Sequence, residues 1–265
     1  MKENSLKYAD IIEHFVAKGR KTFSLKEVFE LKKNRNASYS AVKLLVRKKL
    51  VKKVSMDYFV IYSPAEKASG YIPPESYVDR LMSFKKTSYY VSLLSASLIY
   101  GASHQRPVIF QVVTDRQVLI PKKLLEGIEF HTKSSFPENC IIKQKGQFGY
   151  INYSSPALTA YDLVKFERDS GTLSNVIPVI SELLHSFRIS DIKNLMKIKL
   201  ETAYVQRLGF ILEKLEAKKF AAPLIRIAKE ATAYVPLSRL DKNTGEKNKR
   251  WMIINNIEWN SALAP

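Results

Sequence analysis

Apolar side chains recur at helical spacing near the start of the chain, as Leu6, Ala9, Ile12, Phe15 and Val16, with polar residues between them and Gly19 beyond as a stop. This spacing predicts a first helix over residues 6–16. Ser24 and Glu27 lie three residues apart, so the hydroxyl can accept from a helix amide while the carboxylate reaches back. This capping box opens a second helix through Leu31. The polar stretch 32–37 suits a short connection, and Ser38 is the expected cap of a third helix ending near Lys49. On that helix Ala41, Val42, Leu45 and Val46 form an apolar stripe, and Tyr39, Ser40, Lys43 and Arg47 occupy the opposite face. Residues 50–54 and 58–62 are β-branched and aromatic runs around Ser55, Met56 and Asp57, which predicts a tight hairpin.

Residues 63–74 contain Pro64, Ser69, Gly70, Pro73 and Pro74, a composition that breaks regular structure and sets a domain boundary near residue 72. Beyond it, 75–84 and 89–100 read as helices, the second closed by Gly101. The run 108–114 reads as a buried strand, and shorter strands are expected at 118–120, 128–132, 141–145 and 150–153. Ser155 caps a helix with Pro156 at its first position, and 176–231 is almost wholly helical in pattern, with Ser190 as a further cap. The expected class is α+β, with a small N-terminal domain over 1–72 and a larger one over 73–265 that packs helices on a sheet.

Charge sharpens this picture. The chain carries 43 basic and 25 acidic residues, net +18, a balance that suits polyanions such as DNA, RNA or anionic lipid. Residues 1–72 hold 16 of the basic and 7 of the acidic side chains, so about half the excess lies in a quarter of the length. Three helices followed by a basic hairpin read as a winged helix-turn-helix. In that reading the third helix enters a major groove of double-stranded DNA with Ser38, Tyr39, Ser40, Lys43 and Arg47, and Lys48, Lys52 and Lys53 meet phosphates. Such domains also serve as protein-interaction or RNA-binding modules. The basic residues of the helical C-terminal half read either as a second polyanion surface, with Lys193, Lys197, Arg207 and Lys214 as the candidate antitoxin surface, or as solvated helix faces.

Candidate enzyme chemistry is sparse. The nine glycines are scattered, no phosphate-cradling Gly-Lys-Ser/Thr run occurs, and His14, His104, His131 and His185 never fall four apart on one helix. Asp162 with Lys165, and Asp115 with Glu126 and Glu129, are the nearest approach to a nuclease cluster, and Asp162 reads more simply as an early-turn helix carboxylate. No catalytic residue, metal or cofactor is expected. Cys140 is the sole cysteine, which excludes an intrachain disulfide. The first fifteen residues lack a signal peptide's apolar centre and no apolar run approaches the ~20 residues of a membrane span, so a cytoplasmic protein without membrane association is expected.

The series Tyr89, Tyr90, Leu93, Leu94, Ser95, Ala96, Leu98 before Gly101, then the strand from Pro107 to Thr114, resembles the AbiEi-type antitoxin family of abortive-infection toxin–antitoxin systems. Ser155, Pro156, Thr159, Tyr161, Asp162 and Leu163 match its Ser-Pro helix in order, and Gly245, Glu246, Asn248, Arg250, Trp251, Ile254 and Asn255 resemble its closing loop and strand. The resemblance implies a non-enzymatic regulator of a phage-defence system. Its N-terminal winged helix represses its own promoter, and its C-terminal domain counters a nucleotidyltransferase-like toxin without a stable complex. The chain departs from the family at the wing tip, Ser55 to Asp57, which lacks the glycine often found there. The alternative from the residues alone is a nucleic-acid-processing accessory protein or nuclease acting through the C-terminal domain.

Overall fold

A computed structural model describes residues 8–102, 107–124 and 126–259. Among the described residues, helices and three small sheets make the chain α+β. It divides into two compact units, one holding the described residues to Tyr89 with 116–130 and 143–151, the other 90–115, 131–142 and the chain from 152 onward.

The first unit opens with α1 (Tyr8–Ala17), β1 (Thr22–Ser24), α2 (Leu25–Lys32), α3 (Arg35–Arg47), β2 (Val51–Ser55) and β3 (Tyr58–Ile61). The strands form an antiparallel sheet in the order β1-β3-β2. Phe15 and Phe23 stack at 4.9 Å and Phe23 and Phe59 at 5.5 Å, which ties α1 to both strands around a core that includes Ile11, Val28, Val42 and Leu45. Burying each such side chain contributes about 1.5–3 kcal/mol.

Local chemistry explains where this unit departs from expectation. Leu6, at the expected start of the first helix, lies outside the described residues. The cap of α3 is Asn34 and not Ser38: Asn34 Oδ1 accepts from the Ala37 amide at 2.9 Å, and Lys33 in the left-handed region closes α2 just before it. The helix therefore starts four residues earlier. The capping box is present, with the Ser24 amide donating to Glu27 at 2.8 Å. The hairpin turn needs no glycine, because neither Met56 nor Asp57 takes a positive φ. Residues 64–69 form helix α4 (Pro64–Ser69) where a structureless linker was expected. Ser63 caps it, Pro64 sits at its first turn and Glu66 completes a second capping box, so the proline starts a helix instead of ending one. A 3-10 turn (Pro74–Ser76) then leads into α5 (Val78–Lys85).

Beyond α5 lie β4 (Tyr89–Val91), α6 (Leu93–Ser97), β5 (Phe110–Thr114), β6 (Ile128–Thr132), β7 (Ile141–Gly146) and β8 (Gly149–Ser154), with the sheet order β6-β5-β4-β8-β7. The helix expected over 89–100 is instead a strand and a short helix. Val91 pairs in parallel with Tyr153, so sheet pairing overrides the helical spacing of the leucines. Residues 118–120 form a turn and not a strand, the Ile120 amide donating to the Val118 carbonyl at 3.1 Å. Then follow α7 (Pro156–Lys165), α8 (Glu167–Ser170), α9 (Leu173–Leu183), α10 (Ile189–Leu195), α11 (Thr202–Lys214), α12 (Lys218–Ala221) and α13 (Ile225–Ala228). The chain closes with β9 (Val235–Pro236), β10 (Glu246–Asn248) and β11 (Ile253–Asn255), ordered β10-β11-β9. The second unit's core gathers α7, α9 and α11 around Leu158, Ile177, Leu208 and the fully buried Trp251. Among the described residues no helix is long and apolar enough to cross a membrane.

Candidate nucleic-acid interface

Helix α3 divides its residues by face. Val42 and Leu45 are buried in the first unit's core, whereas Tyr39, Ser40, Lys43 and Arg47 are exposed, so the outward side offers a phenol, a hydroxyl and two cations. Ser38 does not join them. It is 1% exposed, and its hydroxyl donates to the Asn34 carbonyl at 2.7 Å, which fixes it inside the unit. Lys48 is exposed and donates to the Tyr8 hydroxyl at 3.0 Å while lying 4.5 Å from that ring's centroid. The hydrogen bond and the nearby ammonium lower the Tyr8 pKa. Lys53 is half-buried on β2, and Lys52 beside it forms an ion pair with Glu126 at 2.7 Å.

The frame under α3 is electrostatically knit. Arg20 donates to Glu27 at 2.6 Å, and Glu27 also caps Ser24. Burial works to raise the Glu27 pKa, but the Arg20 and Ser24 hydrogen bonds outweigh it and the net shift is downward. Two clefts flank the helix. One, about 410 Å³, is lined by Tyr39, Arg35, Phe29, Leu25, Lys26 and Phe84 among others. The other, about 420 Å³, is lined by Lys49, Lys52, Lys53 and Lys67 with Val46 and Tyr62. Lys49, Lys67 and Arg35 were not among the expected site residues. Lys67 was hidden by the linker reading of its segment, and Arg35 by the late start assigned to α3.

In the second unit Lys193 and Lys197 are exposed and line a shallow depression with Met196, Pro223 and Arg226. Lys214 is exposed and lies 5.7 Å from the Phe210 ring centroid. Arg207 is not a surface residue. It is 5% exposed, and its Nε donates to the carbonyls of Pro236 at 2.9 Å and Leu237 at 3.2 Å, tying α11 to the closing sheet's first strand.

Asp162 anchors a buried polar network. Its side chain is 0% exposed; Oδ1 accepts from Lys133 Nζ at 2.7 Å, and Oδ2 accepts from the Tyr90 and Ser92 hydroxyls, each at 2.9 Å. The Ser154 hydroxyl continues the chain, 3.2 Å from Ser92 Oγ and 2.6 Å from Thr159 Oγ1. Asp162 is the seventh residue of α7, so the expected early-turn role does not apply; its partners are Lys133 and two hydroxyls. A carboxylate with no exposure organises the fold and does not face a substrate. The residues it gathers lie up to 72 positions away in sequence.

Residues 90–214 match the family model described as the AbiEi antitoxin C-terminal domain. That segment is similar to an AbiEi antitoxin C-terminal domain. The Asp162 network lies wholly inside it, since Tyr90, Ser92, Lys133, Ser154 and Thr159 all fall within the matched residues. The match to an antitoxin domain supports an antitoxin role for this segment. No curated protein matches the chain. Among solved structures the RV2827C protein from Mycobacterium tuberculosis is similar in fold, with a TM-score of 0.71 at 10% identity, covering 97% of this chain and 93% of that one.

Proposed function

We propose that residues 1–72 form a winged helix-turn-helix that binds double-stranded DNA upstream of the chain's own operon and represses it. The AbiEi domain then neutralises a nucleotidyltransferase-like toxin encoded alongside, as in type IV systems, without a stable complex between the two proteins. The carrying observation is the outward face of α3. Tyr39, Ser40, Lys43 and Arg47 are exposed together on a helix packed on two others and followed by an antiparallel hairpin with two lysines, the element order such a reader needs. Arg47 and Lys43 suit guanine edges, and Lys48 and Lys53 suit phosphates. The exposed Lys193, Lys197 and Lys214 are our assignment for the toxin-countering surface.

A salt-titrated binding assay of the intact chain tests the DNA reading, with the duplex upstream of its gene set against a scrambled duplex. Arg47→Ala or Lys43→Ala should weaken the specific complex by roughly 1–3 kcal/mol, and Lys53→Ala should chiefly lower the salt slope, by about 0.9. Equal, weak binding to both duplexes overturns the operator reading. For the second half, charge reversal at Lys193 and Lys197 should remove rescue from the toxin in cells while DNA binding persists.

A further inference from the structure

The cleft behind α3 concentrates charge in an unusual way. Lys49 in the turn between α3 and β2, Lys52 and Lys53 on β2, and Lys67 on α4 line one concavity of about 420 Å³ with Val46, Val51 and Tyr62. Among the described residues that line it there is no carboxylate. Four lysines lining one concavity raise the local positive potential and favour an anion. The chain supplies one, from outside the lining: Glu126, distant by 74 positions in sequence, reaches Lys52 at 2.7 Å. Glu126 is 73% exposed while Lys52 is 15% exposed, so the acid is the member of the pair that can swing into solvent. Among the described residues no carboxylate pairs with Lys49, Lys53 or Lys67.

We propose that this lysine cleft seats a phosphate of the nucleic-acid backbone, and that the Glu126 carboxylate holds that phosphate's place on Lys52 until DNA arrives. A phosphodiester oxygen accepts from an ammonium much as a carboxylate does, so the exchange on Lys52 preserves its hydrogen bond. The phosphate also gains Lys49, Lys53 and Lys67, which Glu126 does not engage. An exposed ion pair is weak, so its loss is a small brake and not a lock. The assignment rests on the DNA-binding reading above and adds to it a second contact line, with Glu126 as an internal competitor.

The test uses the full chain and fluorescence anisotropy on labelled duplex. Glu126→Gln removes the competitor at an exposed position and should raise affinity about two- to five-fold at low salt, for upstream and scrambled duplex alike, with a salt slope steeper by up to about one. Lys49→Ala and Lys67→Ala should each weaken both complexes and flatten the slope by a similar step. Unchanged affinity and slope in all three variants, while Arg47→Ala still weakens upstream binding, overturns the cleft assignment and leaves the operator reading intact. Loss of inorganic phosphate binding in Lys49→Ala and Lys67→Ala, with the DNA slope unaltered, overturns it in favour of a free-ion site. Absence of DNA binding by the unmodified chain overturns both readings. A thermal melt of each variant shows that the fold is retained.

Discussion

Replacing Asp162 by Ala should destabilise the second unit more than almost any other single truncation. The side chain is fully buried and holds Lys133 at 2.7 Å, itself 5% exposed, along with the Tyr90 and Ser92 hydroxyls at 2.9 Å. Truncation leaves an ammonium in the interior without its countercharge, which costs about 3–5 kcal/mol. Two hydroxyls also lose their acceptor, although Ser92 still accepts from the Ser154 hydroxyl at 3.2 Å. Against a total stability of about 5–15 kcal/mol this is a large fraction. At ~2–4 °C per kcal/mol for a domain of this size, the melting temperature should fall by roughly 6–20 °C. Asp162→Asn keeps an acceptor for the hydroxyls but still strands Lys133, so its loss should be smaller. Removing the polar set together, as Asp162→Leu, Lys133→Met and Tyr90→Phe, should recover much of the deficit, because no charge then stays buried. Thermal and urea unfolding followed by circular dichroism give the comparison. The reasoning is refuted if Asp162→Ala lies within about 1 kcal/mol of the unmodified chain, or if the triple variant is no more stable than the single one.

Three further outcomes follow from the interior. Gly209→Ala should severely destabilise the second unit, because a Cβ there would lie 2.0 Å from the Trp251 indole in a packed core; overpacking of this kind costs about 1–3 kcal/mol or more, and a melting curve matching the unmodified chain would exclude it. Cys140 is buried and its thiol is pushed up to about 11, so a thiol reagent at pH ~8 should modify it only as fast as the chain opens; prompt stoichiometric labelling of folded protein would contradict that. Burial raises the phenol pKa of Tyr77, Tyr90, Tyr100 and Tyr161, and at Tyr90 the neighbouring Asp162 adds to it. The folded chain thus retains protons that the unfolded chain releases above pH ~10, so this contribution is intact below that pH and declines as pH rises further. Tyrosinate absorbance should show these phenols ionising only together with alkaline unfolding, and full titration of a chain that keeps its circular dichroism would refute it.

Local rules were enough to place much of the first unit. The capping box at Ser24 and Glu27, the apolar stripe of α3 and the hairpin around Met56 and Asp57 each depend on residues within a few positions of one another, and each is visible as spacing. The division of α3 into a buried face and an exposed cationic face follows from the same period. What spacing did not settle was choice between neighbours competing for one role. Asn34 and Ser38 both suit a cap, and the left-handed turn at Lys33 decided for Asn34, which left Ser38 free to bury itself against α2. Pro64 reads as a breaker, yet with Ser63 before it and Glu66 after it the same residue begins a helix.

The second unit's key arrangement belongs to tertiary structure. The sequence by itself determined the Ser155–Pro156 helix start and the largely helical character of 176–231, because those follow from cap chemistry and helical period. It also carried the family resemblance that residues 90–214 bear out. The partners of Asp162, the burial of Arg207 and the grouping of Lys49, Lys52, Lys53 and Lys67 were decided only when distant segments met. A charged side chain has no period that announces its partner. Whether it faces water, a carbonyl or an opposite charge depends on which segment folds over it, and that segment lies tens of residues away.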